Sequence, residues 1–370
     1  MRLSSPDVLS STDSSDCFDL ATGIEARVLI AGDVCPVAVG TKSLLDCLGI
    51  SQAPDLMIFT LDAAVAVGPP ERDTCIAFRP DDLAGLRLGR TTNLAVTASN
   101  HLTDFGDAGV RATLEALDKG GFEHVGAGME VSASESVKVV DLPSGGGRIA
   151  LLAFAETGPR VGARAAGSSK AGVRAYDEAC CLYAIEQARR EADWVWVILH
   201  WGQEFVRYPD PEQRRMAWRM ADAGAALVVA SHTHVPLGHE RRSDTSIFYG
   251  LGNFMFPAYR EGQGYEYRWH PLARRGIVLQ GCLVGGRWRW TPLSIRHNTY
   301  GLPSRTARDW CPNYATALPV GLDAYDRLYR RLRRRERLIY VIQRLMFMTT
   351  EERAFRTRKL LTSTRLRPGQ

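Results

Sequence analysis

The stretch AALVVASHTHVPLGHE, residues 225–240, runs apolar for six residues and then, where a buried strand should end, presents two histidines spaced i, i+2. In extended backbone successive side chains point to opposite faces, so His232 and His234 are expected to share one face and to lie close together. That arrangement suits a metal ion. A polar loop in which two histidines happen to be neighbours would give the same letters, and the rest of the chain has to separate the two readings.

Four further segments repeat the pattern of a buried strand closed by a polar residue. EARVLIAGDV (25–34) ends at Asp33, PDLMIFTLD (54–62) at Asp62, TTNLAVTASNH (91–101) at Asn100 and His101, and ADWVWVILHWG (192–202) at His200. Helical patterns alternate with them. GDAGVRATLEALDKGGF (106–122) places Val110, Leu114 and Leu117 on one stripe and stops at Gly120–Gly121; another helix is expected over about 176–192, and PEQRRMAWRMADAG opens on Pro211. TSIFYGLGNFMF and GIVLQGCLVGGRWRWTPLSI read as strand and hairpin, with Gly285–Gly286 at the turn. Alternating strands and helices across residues 26–235 predict an α/β sheet, in which ligands collect beyond the carboxyl ends of the strands, where these polar residues sit.

Composition narrows the class. The 370 residues are 45% hydrophobic and 24% charged, as in an ordinary globular protein, and the net charge of +5 is uneven because arginines crowd into the last fifty residues. Whole-chain charge therefore does not indicate nucleic acid, and no specific nucleic-acid partner is expected. Eight cysteines without CxxC spacing indicate reduced thiols rather than a disulfide framework or a structural zinc site. The N-terminus is polar and acidic, without the apolar core of a signal peptide, and no window approaches the roughly 20 apolar residues of a membrane span. The expectation is a cytoplasmic protein with a disordered segment at residues 1–24.

Five strands closing on carboxylate, amide or imidazole donors, with no lysine among them, are hard to attribute to solvation. This donor mixture suits Mn²⁺, Fe²⁺ or Zn²⁺ and disfavours an all-oxygen calcium cage. The seven donors exceed the four of a closed zinc site, whereas a pair of metals sharing a carboxylate would use most of them; such pairs activate water and clamp both oxygens of a displacement at phosphorus.

Taken together, GDV (32–34), TLD (60–62), SNHLTDFG (99–106), HWGQE (200–204), SHTH (231–234) and LGNF (251–254) resemble the CapA, or poly-γ-glutamate biosynthesis, branch of the calcineurin-like metallophosphatases. The likeness spans about residues 26–296. It implies a four-layer αββα sandwich over residues 25–300, followed by a basic helical extension at 301–370. It also implies two divalent ions: Asp62 bridges, Asp33 and His234 serve one metal, Asn100, His200 and His232 the other, and His101 is a general acid near the leaving oxygen. The implied activity is metal-dependent hydrolysis of a phosphoester, amide or acyl bond in an anionic small molecule or polymer of capsule synthesis. The alternative is a non-catalytic metal-binding component of a polyanion assembly.

Departures from the family pattern are specific. Cys35 stands where the wider phosphatases have histidine, and is either a thiolate ligand or a plain buried cysteine; Thr60-Leu61-Asp62 replaces Asn-Leu-Glu, so the bridging side chain is shorter. Asp104 either orients His101 or caps the helix beginning near Asp107. Glu204 is a base or substrate contact, or an exposed loop residue, and Asn253 matches the family as a group near the substrate that holds backbone. The loop at 257–276, rich in aromatics and arginine, is a candidate for specificity. Beyond the likeness, residues 324–361 place Leu328, Leu332, Ile339, Ile342 and Met346 opposite arginines. Such a helix lies on a membrane surface, binds an acidic partner or biosynthetic complex, or packs on its own domain.

Overall fold

Each apolar run forms a strand, and the period-2 alternation within it decides the layering. The structure is a computed structural model that describes residues 23–38, 43–72, 74–158, 161–260, 266–298, 301–306, 321–354 and 357. The segment read as disordered lies outside the described residues up to position 22, as do Cys17 and Cys311.

The strands in chain order are β1 (Ile24–Val34), β2 (Leu56–Leu61), β3 (Thr92–Val96), β4 (Glu123–Val125), β5 (Lys138–Asp141), β6 (Arg148–Ala155), β7 (Trp194–His200), β8 (Leu227–Ser231), β9 (His239–Arg242), β10 (Thr245–Phe248), β11 (Asn253–Met255), β12 (Arg275–Val284), β13 (Arg287–His297) and β14 (Pro303–Arg305). They build two principal sheets. The first has the order β14-β13-β12-β1-β2-β3-β4, with β11 parallel beside the end of β1; the second has the order β9-β10-β8-β7-β6-β5. The β12–β13 hairpin turns at Gly285 and Gly286, whose φ values of 57° and 68° are the left-handed pair that a two-residue turn requires.

Val28 and Ile30 of β1 bury against Leu151 and Ala153 of β6 and Trp196 and Ile198 of β7, so these faces of the two sheets meet in one apolar layer. The alternate residues, Leu29 and Ala31 or Val195, Val197 and Leu199, face outward and are covered by helices. Those helices are α1 (Leu44–Leu48), α2 (Gly106–Gly120), α3 (Glu178–Ala188) and α4 (Pro211–Asp222). The result is helix, sheet, sheet, helix, the four-layer α/β arrangement that the sequence predicts.

Helix boundaries follow local chemistry. Asp210 and Gln213 form a reciprocal capping box ahead of α4, with Pro211 at its first position, and Asp177 caps α3 by accepting from Cys180 N–H. Gly121 ends α2 in the left-handed conformation.

The C-terminal segment forms α5 (Leu322–Phe347). One face packs on the domain: Tyr325 is fully buried, its hydroxyl donating to the Pro209 carbonyl, and Arg207 grips Glu336 through Nε and Nη2 at 2.7 and 2.9 Å. The outward face leaves Leu338, Val341, Ile342, Leu345 and Met346 exposed beside arginines. No helix among the described residues is long and apolar enough to cross a membrane.

Candidate metal centre

Asp33 and Asp62 follow from adjacent parallel strands of the first sheet, while His200 and Ser231 end adjacent parallel strands of the second. Because the two sheets stack with these ends on the same side, groups 30 to 200 residues apart in sequence come into contact. A close backbone approach sets Asp33. A Cβ at Gly32 would lie 2.0 Å from the Gly252 carbonyl oxygen, so glycine alone lets β11 run beside β1 with Asn253 opposite Asp33.

The two histidines that open the sequence reading do meet, with ring centroids 6.1 Å apart, but not as alternate residues of a strand. β8 stops at Ser231, and His232 and His234 take φ values of 85° and 55°. Left-handed backbone at two non-glycine residues costs energy and persists only where its surroundings fix it. Here the fixing contacts are the His232 N–H, which donates to both Asp33 carboxylate oxygens at 3.2 and 3.1 Å, and the Thr233 carbonyl, which accepts from Phe205 N–H at 2.8 Å.

The tautomers follow from the hydrogen bonds. The Asn253 amide nitrogen donates to the Ala273 carbonyl at 2.9 Å, so its oxygen faces His234 Nδ1 at 2.8 Å and accepts from it. His234 therefore presents an unprotonated Nε2 toward Asp62 Oδ2, 3.9 Å away. On the other side, His200 Nε2 lies 2.7 Å from Asn100 Oδ1, 3.2 Å from His232 Nδ1 and 3.5 Å from Asp62 Oδ1. A single proton on Nε2 could serve one of these three contacts. Several lone pairs thus converge on one point, and the two oxygens of Asp62 face the two imidazole sets.

Both Asp62 oxygens are buried without a hydrogen-bond partner, a costly state for a carboxylate unless a cation is its partner. Burial pushes the Asp62 carboxyl up to about 6; burial and the Asp62 charge raise Asp33. Burial holds His234 down to about 3 and His200 well below its usual value, so these imidazoles are neutral, the form a metal would need. Asp33, Asp62 and His234 bring ligand atoms within 4.8 Å of one another. The residues present fit a divalent ion.

Around this centre, His101 Nδ1 lies 2.7 Å from Asp104 Oδ2. Asp104 does not cap α2. Its carboxylate also accepts from Ile76 N–H at 2.8 Å and Arg72 Nη1 at 3.3 Å, and Phe105, without a side-chain bond, precedes the helix. Burial alone would lower the His101 pKa, but the Asp104 and Asp62 carboxylates outweigh it and raise it. Cys35 points its Sγ at the Ala77 carbonyl, 3.7 Å away, and burial raises its thiol, which favours the buried-cysteine reading.

Asn253 is fully buried with both amide atoms engaged: its nitrogen holds the Ala273 backbone carbonyl, and its oxygen orients His234. Glu204 stands exposed at the mouth, yet enough protein surrounds its carboxyl for desolvation to raise its pKa.

Sequence reading missed Arg72, which holds the Asn100 carbonyl at 2.7 Å, and Ser231, which lies 3.1 Å from His200 Nδ1. It also missed the aromatic wall around His234, formed by Phe205, Phe256 and Trp269 with centroids at 5.9, 5.5 and 4.9 Å. Trp269 comes from the 257–276 loop, of which residues 261–265 lie outside the described residues. No spacing marks any of them; Ser231 ends β8, and the others arrive from loops.

A buried carboxylate–imidazole cluster thus sits where the strand ends of two stacked sheets meet in an αββα fold. The family model for the bacterial capsule synthesis protein PGA_cap matches residues 41–258, more than half of the chain, and the chain belongs to that family. The match begins after Asp33 and ends before α5. The PGA biosynthesis protein CapA of Bacillus subtilis (strain 168) is 34% identical over 204 residues, 55% of this chain and 51% of that protein. The capsule biosynthesis protein CapA of Bacillus anthracis is 33% identical over 163 residues, 43% of this chain and 39% of that one. The chain thus spans about half the length, or less, of these relatives. The solved calcineurin-like phosphoesterase YfkN of Bacillus subtilis is similar at 11% identity and a TM-score of 0.35, over 86% of this chain and 99% of that one.

Proposed function

We propose that this protein is a metal-dependent hydrolase of capsule-polymer synthesis, acting on a phosphoester, amide or acyl bond in an anionic polymer or its precursor. The observation that carries the reading is the Asp62 carboxylate, buried, unpartnered and facing His200 on one side and His234 on the other. Asp33, Asp62 and His234 would hold one ion, and Asp62, Asn100, His200 and His232 a second; Mn²⁺, Fe²⁺ and Zn²⁺ all suit these donors. Such ions would supply Lewis-acid polarisation of the scissile bond and activation of water. His101, held through Nδ1 by Asp104, whose charge favours the protonated ring, keeps Nε2 for the leaving oxygen and gives it a proton as the bond breaks. The family and the relatives' names support the setting, and the raised His101 pKa supports the acid.

With Mn²⁺ added, the purified protein is expected to hydrolyse bis-(4-nitrophenyl) phosphate or 4-nitrophenyl phosphate, and His200→Ala to lower the rate by about 100-fold or more, since losing a ligand exceeds the 10- to 100-fold cost of losing a supporting contact. Equal rates in the two proteins would remove the hydrolytic reading. Metal bound by both proteins with no turnover would favour the non-catalytic component.

Metal affinity should also depend on pH. A carboxyl raised to about 6 keeps its proton below that pH, and an incoming cation must displace it, whereas His234 at about 3 is already deprotonated. Because Asp33 is raised as well, titration calorimetry is expected to show Mn²⁺ affinity falling at least about tenfold per unit below about pH 6, with proton release at the lower values. An affinity flat from pH 5 to 7.5 would contradict the protonation of Asp62.

A further inference from the structure

We propose that Arg333 and Arg337 of α5 form an anion subsite that holds a carboxylate or phosphate of the substrate away from the bond being broken. The inference rests on the metal centre being the hydrolytic site. A cavity of about 640 Å³ opens between the loop after His200 and α5, lined by Gln203, Glu204 and Phe205 on one wall and Arg333, Arg337 and Tyr340 on the other.

The two arginines differ from the other arginines of α5 without an ion pair, Arg334 and Arg335 among them, in lining this cavity. Arg207 is paired with Glu336, Arg214 with Glu240 and Arg344 with Glu352, but among the described residues Arg333 and Arg337 make no ion pair or hydrogen bond. Arg333 Nε is buried with no acceptor, a donor that wants a partner. Positions i and i+4 share one face of a helix, where like charges repel, so the helix alone gains nothing from setting both over one cavity. A bound oxyanion would accept from both guanidinium groups, whose planar forks match carboxylate and phosphate oxygens.

The cavity adjoins the metal centre. Phe205 stacks on His234 at 5.9 Å on one side and on Tyr340 at 4.6 Å with a 5° interplanar angle on the other. Glu204, on the same wall, is near enough to Asp62 and His101 to feel both charges. An extended substrate lying from the centre over Glu204 and Phe205 would thus bring a second anionic group to the arginines. The ligand class is a chain with repeated negative charges, not a compact monoester.

Binding of penta-glutamate and of tripolyphosphate to the full chain, measured by calorimetry, tests this. The Arg333→Gln/Arg337→Gln double variant is expected to weaken the better ligand at least tenfold, and Arg334→Gln/Arg335→Gln, which removes equal charge from exposed positions of the same helix, less than twofold. Arg333→Lys/Arg337→Lys should keep most of the affinity, and an unchanged unfolding temperature would show that the glutamine variant is folded. The preferred probe distinguishes a carboxylate from a phosphate ligand. Equal weakening by both glutamine pairs, or none by the first, overturns the subsite. If the arginine pair controls binding but no hydrolysis is found in any assay, the subsite stands and the proposed activity falls.

Discussion

Asp62→Asn is expected to abolish metal-dependent hydrolysis, by more than about 100-fold, while making the chelator-treated protein more stable, not less. The two effects have one origin. A carboxyl near 3.8 in the unfolded chain and near 6 in the fold binds more protons folded than unfolded between those values. Its stabilising contribution is therefore complete below about pH 4 and is lost as pH rises through 6, leaving a deficit of about 3 kcal/mol at neutral pH when no cation is present. Asparagine removes the buried charge, and its own unpaired amide gives back part of the gain, so the net stabilisation should be about 1–2 kcal/mol. Urea denaturation at pH 7.5 with chelator, beside thermal melts with added Mn²⁺, reads both effects. The unmodified protein should gain several degrees with metal and the variant almost none. A variant that is less stable without metal, or still stabilised by it, would show that Asp62 is neither strained nor a ligand.

Glu240→Ala is expected to destabilise the fold by about 3–5 kcal/mol, the cost of leaving one member of a buried pair alone. Arg214 is 1% exposed and Glu240 5%. Arg214 Nε and Nη2 reach the two carboxylate oxygens at 2.9 and 2.6 Å, Trp218 Nε1 donates to the same carboxylate at 2.8 Å, and the Tyr249 hydroxyl donates as well. The Arg214 guanidinium also lies 4.9 Å from the Tyr325 ring, so α4, β9 and α5 share this joint. Replacing both members, as Arg214→Met with Glu240→Leu, should cost far less, because no uncompensated charge remains. Urea midpoints for the three proteins decide it; a Glu240→Ala loss below about 1 kcal/mol would mean that water reaches the orphaned arginine.

Much of the centre was legible in the chain because polar groups at strand ends announce themselves: an apolar run must stop somewhere, and Asp33, Asp62, Asn100, His200 and His232 are each the polar group at or just beyond such a stop. The unbroken apolar runs likewise specified two-sided burial, and with it sheets covered on both faces. The start of α4 at Pro211 was equally readable.

Alternation within a strand says which side chains share a face, but not which strand of another sheet that face will meet. Only the stacked sheets brought Asp62 beside His200 and His234, turned His232 and His234 through left-handed backbone that no period describes, and set the Asn253 amide oxygen against the His234 imidazole. The same holds for α5: the sequence specified an amphipathic basic helix, while the choice of which arginines are paired and which stand over a cavity was made by the surfaces it packs against.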